Sequence, residues 1–354
     1  MTVDDLFERL EADGRRHPLT MSAELTYRCN FGCAHCFCRL PEAGPTPRPE
    51  LTLQEWDRIL GQAADEGVLF LTLTGGEPLL RPDFRGIWLA AVQRGILPEL
   101  FTNASLLDEE IVAFLAEWTP RQVSVTLYGA SEETYRLMTG REGLHARVLA
   151  GVDLLVAAGV KVEVKTVITR RNVHELAALR EQSGRYQAIF KWDAELTGCL
   201  PESGGNPESE RLTPAEVLQL ELADPVRVAE WRRLLEHFRA PEPDDHRIFR
   251  CRVGERDFHV DPYGMLRPCL MLAEPGYDLR RGSVREGWAR LPELLAGIDA
   301  HSDRCRGCNW PQLCRTCPAH ALLAGEDAGA PAPFLCELGH LRAIAYGLHK
   351  TMPD

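Results

Sequence analysis

Cys29-Asn30-Phe31-Gly32-Cys33-Ala34-His35-Cys36 follows almost directly on the apolar-alternating run Met21 to Tyr27. A strand leading into a C-x3-C-x2-C loop decides how the rest of the chain is read. Alternation of apolar and polar residues is the period of a half-buried strand. The loop sets three thiolates within eight residues, too close in sequence to staple distant parts of a fold and well placed to grip one face of a metal cluster. Three protein thiolates on a four-iron cube leave one iron without a protein ligand. Such an iron can bind a substrate or cofactor chemically.

Outward from this loop the chain alternates. Arg39 to Pro49 is a proline-rich loop, and Thr52-Leu53-Gln54-Glu55 pairs a capping hydroxyl with an acid three residues on, opening a helix to about Glu66. The β-prone run Val68 to Thr74 ends in Gly75-Gly76-Glu77-Pro78. Helices are expected near Phe84 to Arg94, Asp108 to Glu117, Leu144 to Ala158 and Val173 to Ser183. Strands are expected near Glu99 to Thr102, Val123 to Leu127, Val160 to Ile168 and Ala188 to Asp193, with the first at about Ala23 to Tyr27. Six strands alternating with helices imply a parallel sheet with right-handed crossovers, its chemistry at the carboxyl ends of the strands. The alternation stops near residue 195, so the fold class is α/β with a partial (β/α)6 TIM-type barrel rather than a closed eight-fold one.

Residues 1–20, with Leu6, Phe7 and Leu10 at helical spacing, read as an N-terminal helix, and 21–200 as the barrel. The stretch from Pro201 is a linker by composition, Thr213-Pro214-Ala215-Glu216 starts a helix, and 201–250 reads as linker and bridging helices. A cysteine-rich domain occupies 251–336, with a hairpin whose turn is Asp261 to Gly264. A helix over Leu338 to Leu348 closes the chain within 337–354.

The chain has 354 residues, 45% apolar and 26% charged, with a formal net charge of −12. These are the proportions of an ordinary globular protein, and at ~150 residues per domain there is room for more than one. The negative charge disfavours a nucleic-acid backbone or an anionic membrane as partner. No apolar run approaches the ~20 residues of a spanning helix. The start is charged rather than signal-like, and a cytoplasmic location is expected.

Twelve cysteines would suggest disulfides in a short secreted chain, but here three sit at 29–36 and seven lie between 251 and 336, in tight groups. Grouping of this kind indicates metal. Cys38 and Cys199 are left over and read as small buried residues.

These motifs together resemble the radical S-adenosylmethionine (SAM) enzymes with a C-terminal SPASM auxiliary-cluster domain, from about Met21 to Cys336. The resemblance implies that Cys29, Cys33 and Cys36 ligate a 4Fe–4S cluster whose open iron chelates S-adenosyl-L-methionine. It implies a 5′-deoxyadenosyl radical that removes a hydrogen atom from the substrate. His35 would lie against the adenine, and Gly75, Gly76 and Glu77 would meet the methionine moiety, the glycines allowing close backbone approach. Asn103 and Ser124 or Thr126 would contact methionine or ribose, whereas Lys165 either reaches the cofactor or pairs with neighbours of Glu163. Two auxiliary clusters would bring the total to three. Cys305, Cys308, Cys314 and Cys336 would hold one, and Cys251, Cys269 and Cys317 the other.

The chain departs from the full pattern in two places. The last pair is C-x2-C where C-x3-C is common, and an eighth cysteine expected between Cys251 and Cys269 is absent. The three-cysteine cluster would then have an open iron, take Asp257, His259 or another residue, or have lower nuclearity. Leu270 after Cys269 stands where sulfatase-maturing members carry an acid. Thr126 to Gly129 and Cys317 to Ala321 are similar to the peptide-modifying branch, which matures ribosomally made peptides. The expected function is therefore hydrogen abstraction from a precursor peptide and oxidative C–C, C–O or C–S cross-linking. A separate leader-binding protein and an electron donor such as flavodoxin or ferredoxin are the implied partners. A SPASM dehydrogenase acting on a sulfatase residue, a tetrapyrrole or another small molecule is the alternative. A non-catalytic iron–sulfur or zinc protein is the reading from a different class.

Overall fold

The structure is a computed structural model and describes residues 15–38, 40, 48–200, 203, 205–236, 249, 251, 253–298, 308–315 and 317–348. Residues 1–14 of the expected N-terminal helix, 237–248 of the expected linker region and Cys305 lie outside the described residues, and 15–19 are not helical.

One nine-stranded sheet runs through the molecule in the order β6-β5-β4-β3-β2-β1-β7-β8-β9. Its strands are β1 (Thr20–Glu24), β2 (Phe70–Thr74), β3 (Leu97–Thr102), β4 (Val123–Thr126), β5 (Val162–Val167), β6 (Ile189–Asp193), β7 (Asp257–Val260), β8 (Met265–Arg267) and β9 (Tyr277–Asp278). The six expected strands pair parallel in sequence order. On its other side β1 takes β7, also parallel, with Ser22 opposite His259. The first strand of the cysteine-rich region thus extends the barrel sheet, and β8 and β9 follow as antiparallel hairpin strands.

Helices α1 (Leu53–Asp65), α2 (Phe84–Val92), α3 (Glu109–Glu117), α4 (Glu132–Thr139), α5 (His145–Ala157) and α6 (Leu176–Arg185) alternate with these strands. The expected cap of α1 is a capping box between Thr52 and Glu55. Helix α4 lies outside the expected set. Its Ser131 N-cap and left-handed Gly140 C-cap are local signals of the ordinary kind. Beyond β6 come α7 (Pro207–Glu210), α8 (Pro214–Ala223) and α9 (Pro225–Glu236). Past the hairpin lie α10 (Val284–Ala296), α11 (Pro311–Cys314), α12 (Pro318–Leu323) and α13 (Pro333–Ala345). Helix α13 begins five residues before the expected start, so Cys336 sits on it.

The period of two sorts each strand's side chains between two environments. Met21, Ala23, Leu71, Leu73, Leu100, Val123, Val125, Val162 and Val164 join Ile59, Leu60, Ile87 and Trp88 in the main core. Ser22, Glu24, Glu99, Ser124, Glu163 and Lys165 alternate with them and line the other, polar face. At the far end Arg342 of α13, 0% exposed, donates to both oxygens of Glu221, to Glu195 and to the Leu313 carbonyl. Its guanidinium stacks 4.4 Å over Trp231, tying α13 to α8 and α9.

Candidate active site

The cysteine loop leaves the carboxyl end of β1 and is held at once by the loop after β2. Leu25 N–H donates to Thr74 O at 2.9 Å, Gly76 N–H to Thr26 O at 2.7 Å and Glu77 N–H to Arg28 O at 2.9 Å. This approach explains both glycines. A Cβ on Gly75 would stand 2.3 Å from Thr26 O, and one on Gly76 2.2 Å from Arg28 O. Gly75 also has φ +128°, which disfavours a side chain. The backbone of Thr26 and Arg28, which leads into the cysteine loop, lies directly against both glycines.

The three thiols lie near one side chain. The Tyr128 phenol, after β4, is held up by burial and then by adjacent Cys33, Cys29 and Cys36. Cys29 is pushed up to about 12, first by burial and further by Glu77 and Cys36. Phe31 N–H and Asn103 Nδ2 donate to its sulfur, at 3.4 and 3.8 Å. Donors aimed at sulfur suit a thiolate, yet burial opposes the charge. A metal's positive charge would resolve that conflict, so the donor set fits an iron–sulfur cluster. Among the described residues no three His, Cys or acidic side chains are close enough for one metal ion.

Glu77 is fully buried, and its two oxygens are engaged within the chain. Oε1 accepts from Leu79 N–H at 3.1 Å and Thr102 Oγ1 at 2.8 Å; Oε2 accepts from Asn103 N–H at 2.8 Å. Burial raises its carboxyl to about 7 against these bonds. Asn103 in turn donates to Asn30 Oδ1 at 2.9 Å and accepts from Ser105. The strand-end residues are thus a relay from β2 through β3 to the cysteine loop.

His35 is 8% exposed, and burial lowers its imidazole to about 4, leaving a neutral ring 5.5 Å from that of Tyr128. Tyr128 also packs edge-on to Phe31 and Tyr135. It is the site residue that the sequence reading did not single out, although an aromatic directly after a strand's carboxyl end was the available signal.

Thr126 ends β4 and pairs with Lys165. Ser124, second in β4, stands two residues before that end, its hydroxyl 3.2 Å from both the Glu99 and the Glu163 carboxylates. Glu163 also receives Lys165 at 3.1 Å and Lys191 at 2.6 Å. Burial would raise its carboxyl, but these lysines outweigh burial and hold it below the usual range. Lys165 therefore pairs with Glu163 itself, its ammonium 3.5 Å over the Phe101 ring.

The composition-based linker turns out to be a strap. Leu200 N–H donates to Phe37 O at 2.8 Å and Asn206 N–H to Ala34 O at 2.7 Å, while Ser203 Oγ donates to Cys36 O at 3.1 Å. A Cβ on Gly205 would stand 1.9 Å from Cys36 O, and one on Gly198 2.0 Å from Leu323 O. The strap thereby touches both the cysteine loop and α12, which follows Cys317. Cys38 is 4% exposed, with its thiol toward Gly75 O at 3.7 Å. Cys199 is half-buried, its thiol toward Gly205 O at 3.4 Å.

Downstream, Cys314 and Cys336 are brought together by Gly339, one turn after Cys336, where a Cβ would lie 2.5 Å from that of Cys314. Trp310 N–H donates to Cys308 Sγ at 3.3 Å. In the other group, Cys269 and Cys317 share an apolar cluster with Leu272, Ile298 and Ala319. Burial pushes the Cys269 thiol up to about 11, with Cys317 and Cys251 adding to it.

Residues 23–180 match the Radical SAM superfamily. The AdoMet-dependent heme synthase of Methanosarcina barkeri is 27% identical over 348 residues, covering 90% of this chain and 96% of that protein. A PqqA peptide cyclase of Granulibacter bethesdensis is 30% identical over 344 residues, covering 92% of this chain and 89% of its own. Streptococcus suis SuiB bound to S-adenosylmethionine shares the fold, with a TM-score of 0.71 at 16% identity over 94% of this chain and 80% of that one. SuiB has also been solved with its precursor peptide SuiA. A relative of nearly full length at 30% identity, and a superfamily match spanning the cysteine loop and strands β2 to β5, make this chain a member of the radical SAM superfamily, in its SPASM-type branch.

Proposed function

We propose that the chain is a peptide maturase. It removes a hydrogen atom from a residue of a ribosomally made precursor peptide and joins that residue oxidatively to another atom by a C–C, C–O or C–S bond. The observation that carries the peptide reading is the 30% identity, along 92% of the chain, to a protein named for cyclising a peptide.

When bound and reduced, a 4Fe–4S cluster with S-adenosyl-L-methionine supplies hydrogen-atom abstraction by a carbon-centred radical. Cys29, Cys33 and Cys36 hold the cluster. His35 and Tyr128 offer uncharged rings to the adenine. Gly75, Gly76 and Glu77 shape the methionine side through backbone groups, because the Glu77 carboxylate is already engaged. Asn103 and Thr126 border the ribose, and Ser124 acts at most indirectly, through Glu99 and Glu163. Cys251, Cys269 and Cys317, and Cys305, Cys308, Cys314 and Cys336, would hold two further clusters, which would supply a destination for the electron that an oxidised product releases. Redox-neutral chemistry would leave them without a task. A separate leader-binding protein presents the peptide, flavodoxin or ferredoxin reduces the clusters, and the enzyme works in the cytoplasm.

The heme synthase relative, similar over 90% of this chain, favours a tetrapyrrole as the second reading. Anaerobic protein with S-adenosylmethionine, dithionite and a peptide encoded beside its gene is expected to yield 5′-deoxyadenosine and a peptide lighter by two hydrogens. A turnover that leaves the peptide mass unchanged and consumes a tetrapyrrole instead would replace the peptide reading.

A further inference from the structure

Cys251, Cys269 and Cys317 are three thiols where an iron–sulfur cluster takes four donors, and the nearest strand offers Asp257 and His259. Hydrogen bonds remove His259. Its Nδ1 meets Ser22 Oγ at 3.0 Å, and its Nε2 meets Glu24 Oε2 at 3.0 Å, in a side chain that is 1% exposed. Both ring nitrogens are spent on β1, and an imidazole has no third donor atom.

Asp257 is placed differently. In the antiparallel ladder of β7 and β8, Val260 faces Leu266 and His259 faces Arg267. The ladder ends at Arg267, two residues before Cys269, and Asp257 opens β7, so both lie at the same end of this antiparallel pair. A backbone bridge between Val253 and Asp257 brings the chain just after Cys251 to the same place. Cys269 and Cys317 pack into one apolar cluster with Leu272 and Ile298. Among the described residues no cation is paired with the Asp257 carboxylate, and Glu255 repels it.

We propose that Asp257 is the fourth protein ligand of the cluster held by Cys251, Cys269 and Cys317. That cluster then has no iron open to substrate, and its part is to carry electrons rather than to bind the peptide. The proposal rests on reading the downstream cysteines as iron–sulfur ligands, which the following experiment tests separately.

The full chain carrying Cys29→Ala, Cys33→Ala and Cys36→Ala, so that only downstream clusters contribute, is reconstituted anaerobically with iron and sulfide. Iron per chain and the electron paramagnetic resonance of the reduced protein are then compared among this parent and its Asp257→Ala, Asp257→Cys and Cys269→Ala derivatives. The expected result for Asp257→Ala is loss of one cluster's iron, or a retained cluster with altered g-values that now responds to added cyanide. Asp257→Cys should restore the parent's iron with a new set of g-values, which a misfolded variant would not do. The signal of the other cluster reports that the fold is intact. Asp257→Ala with the parent's iron content and g-values, or a parent signal already shifted by cyanide, overturns the assignment of Asp257 alone. Unchanged iron in Cys269→Ala as well would overturn the iron–sulfur reading, and the proposal with it.

Discussion

The Glu77 carboxylate accepts the backbone N–H of Asn103 at 2.8 Å, and Asn103 reaches on to the sulfur of Cys29. The loop after β2 is therefore joined to the cysteine loop by way of β3. Glu77→Gln keeps the shape but turns an amide NH2 toward chain donors. Leaving one such buried group unsatisfied costs about 1–3 kcal/mol. A lowered urea midpoint, with less iron retained per chain, is the expected outcome; an unchanged midpoint would show that the relay is dispensable.

The same carboxyl gives a pH dependence. Its value in the folded chain, about 7, stands above the ordinary 4.5, so the folded state binds the proton more tightly. The associated stability is complete below about 4.5 and is lost as the pH rises through about 7. Each tenfold gain in proton affinity is worth ~1.4 kcal/mol, which makes the effect on the order of 3 kcal/mol. Urea midpoints of the wild type and the Gln variant should diverge across that window, with the wild type losing ground as the pH rises. A difference that is flat with pH would contradict this account.

Cys33→Ala should abolish cleavage of S-adenosylmethionine while leaving the downstream iron in place. Cys38→Ala should keep the cleavage, since its thiol points to the Gly75 carbonyl. Production of 5′-deoxyadenosine and iron content per chain report both. Full activity in Cys33→Ala would refute the reading of the loop.

Two glycine substitutions should act on different clusters. Gly205→Ala drives a methyl into the Cys36 carbonyl, a rigid obstacle, at a cost of about 1–3 kcal/mol, and should weaken iron retention at the first cluster. Gly339→Ala should push α13 off Cys314 and spare the first cluster. Spectra of the two variants that lose the same signal would undo this separation.

Arg342→Leu removes the cation shared by Glu195 and Glu221, leaving the buried Glu221 carboxylate without its cation and Glu195 with Arg315 alone. The expected loss is about 3–5 kcal/mol, read as a fall in thermal midpoint. A variant as stable as the wild type would mean that these acids find another cation.

Local pattern made most of the barrel legible. The alternation through Val123 to Thr126 and the caps at Thr52 and Thr213 are signals carried by neighbouring residues, and the structure has them. The expected start of β1 was displaced because apolar alternation continues through Leu25 and Tyr27, whereas the ladder with β2 ends at Glu24 opposite Thr74 and Gly75 turns away. Contacts across long stretches of chain were not legible. The pairing of β7 with β1 joins residues more than two hundred apart. Pro201 to Ser209 reads as a linker because glycine and proline mark loops without saying what a loop lies against. His259 looked like a ligand candidate by type, and only its two hydrogen bonds to β1 exclude it.

The position of β1 between β2 and β7 governs how the protein can be taken apart. A chain stopped before residue 251 would not be a smaller enzyme without its auxiliary centres. It would expose the backbone N–H and C=O groups of the strand that feeds the cysteine loop, and it would uncover Ser22 and Glu24 on that edge. Bare strand edges recruit other chains. Such a fragment is better described as a seed for aggregation than as a catalytic core.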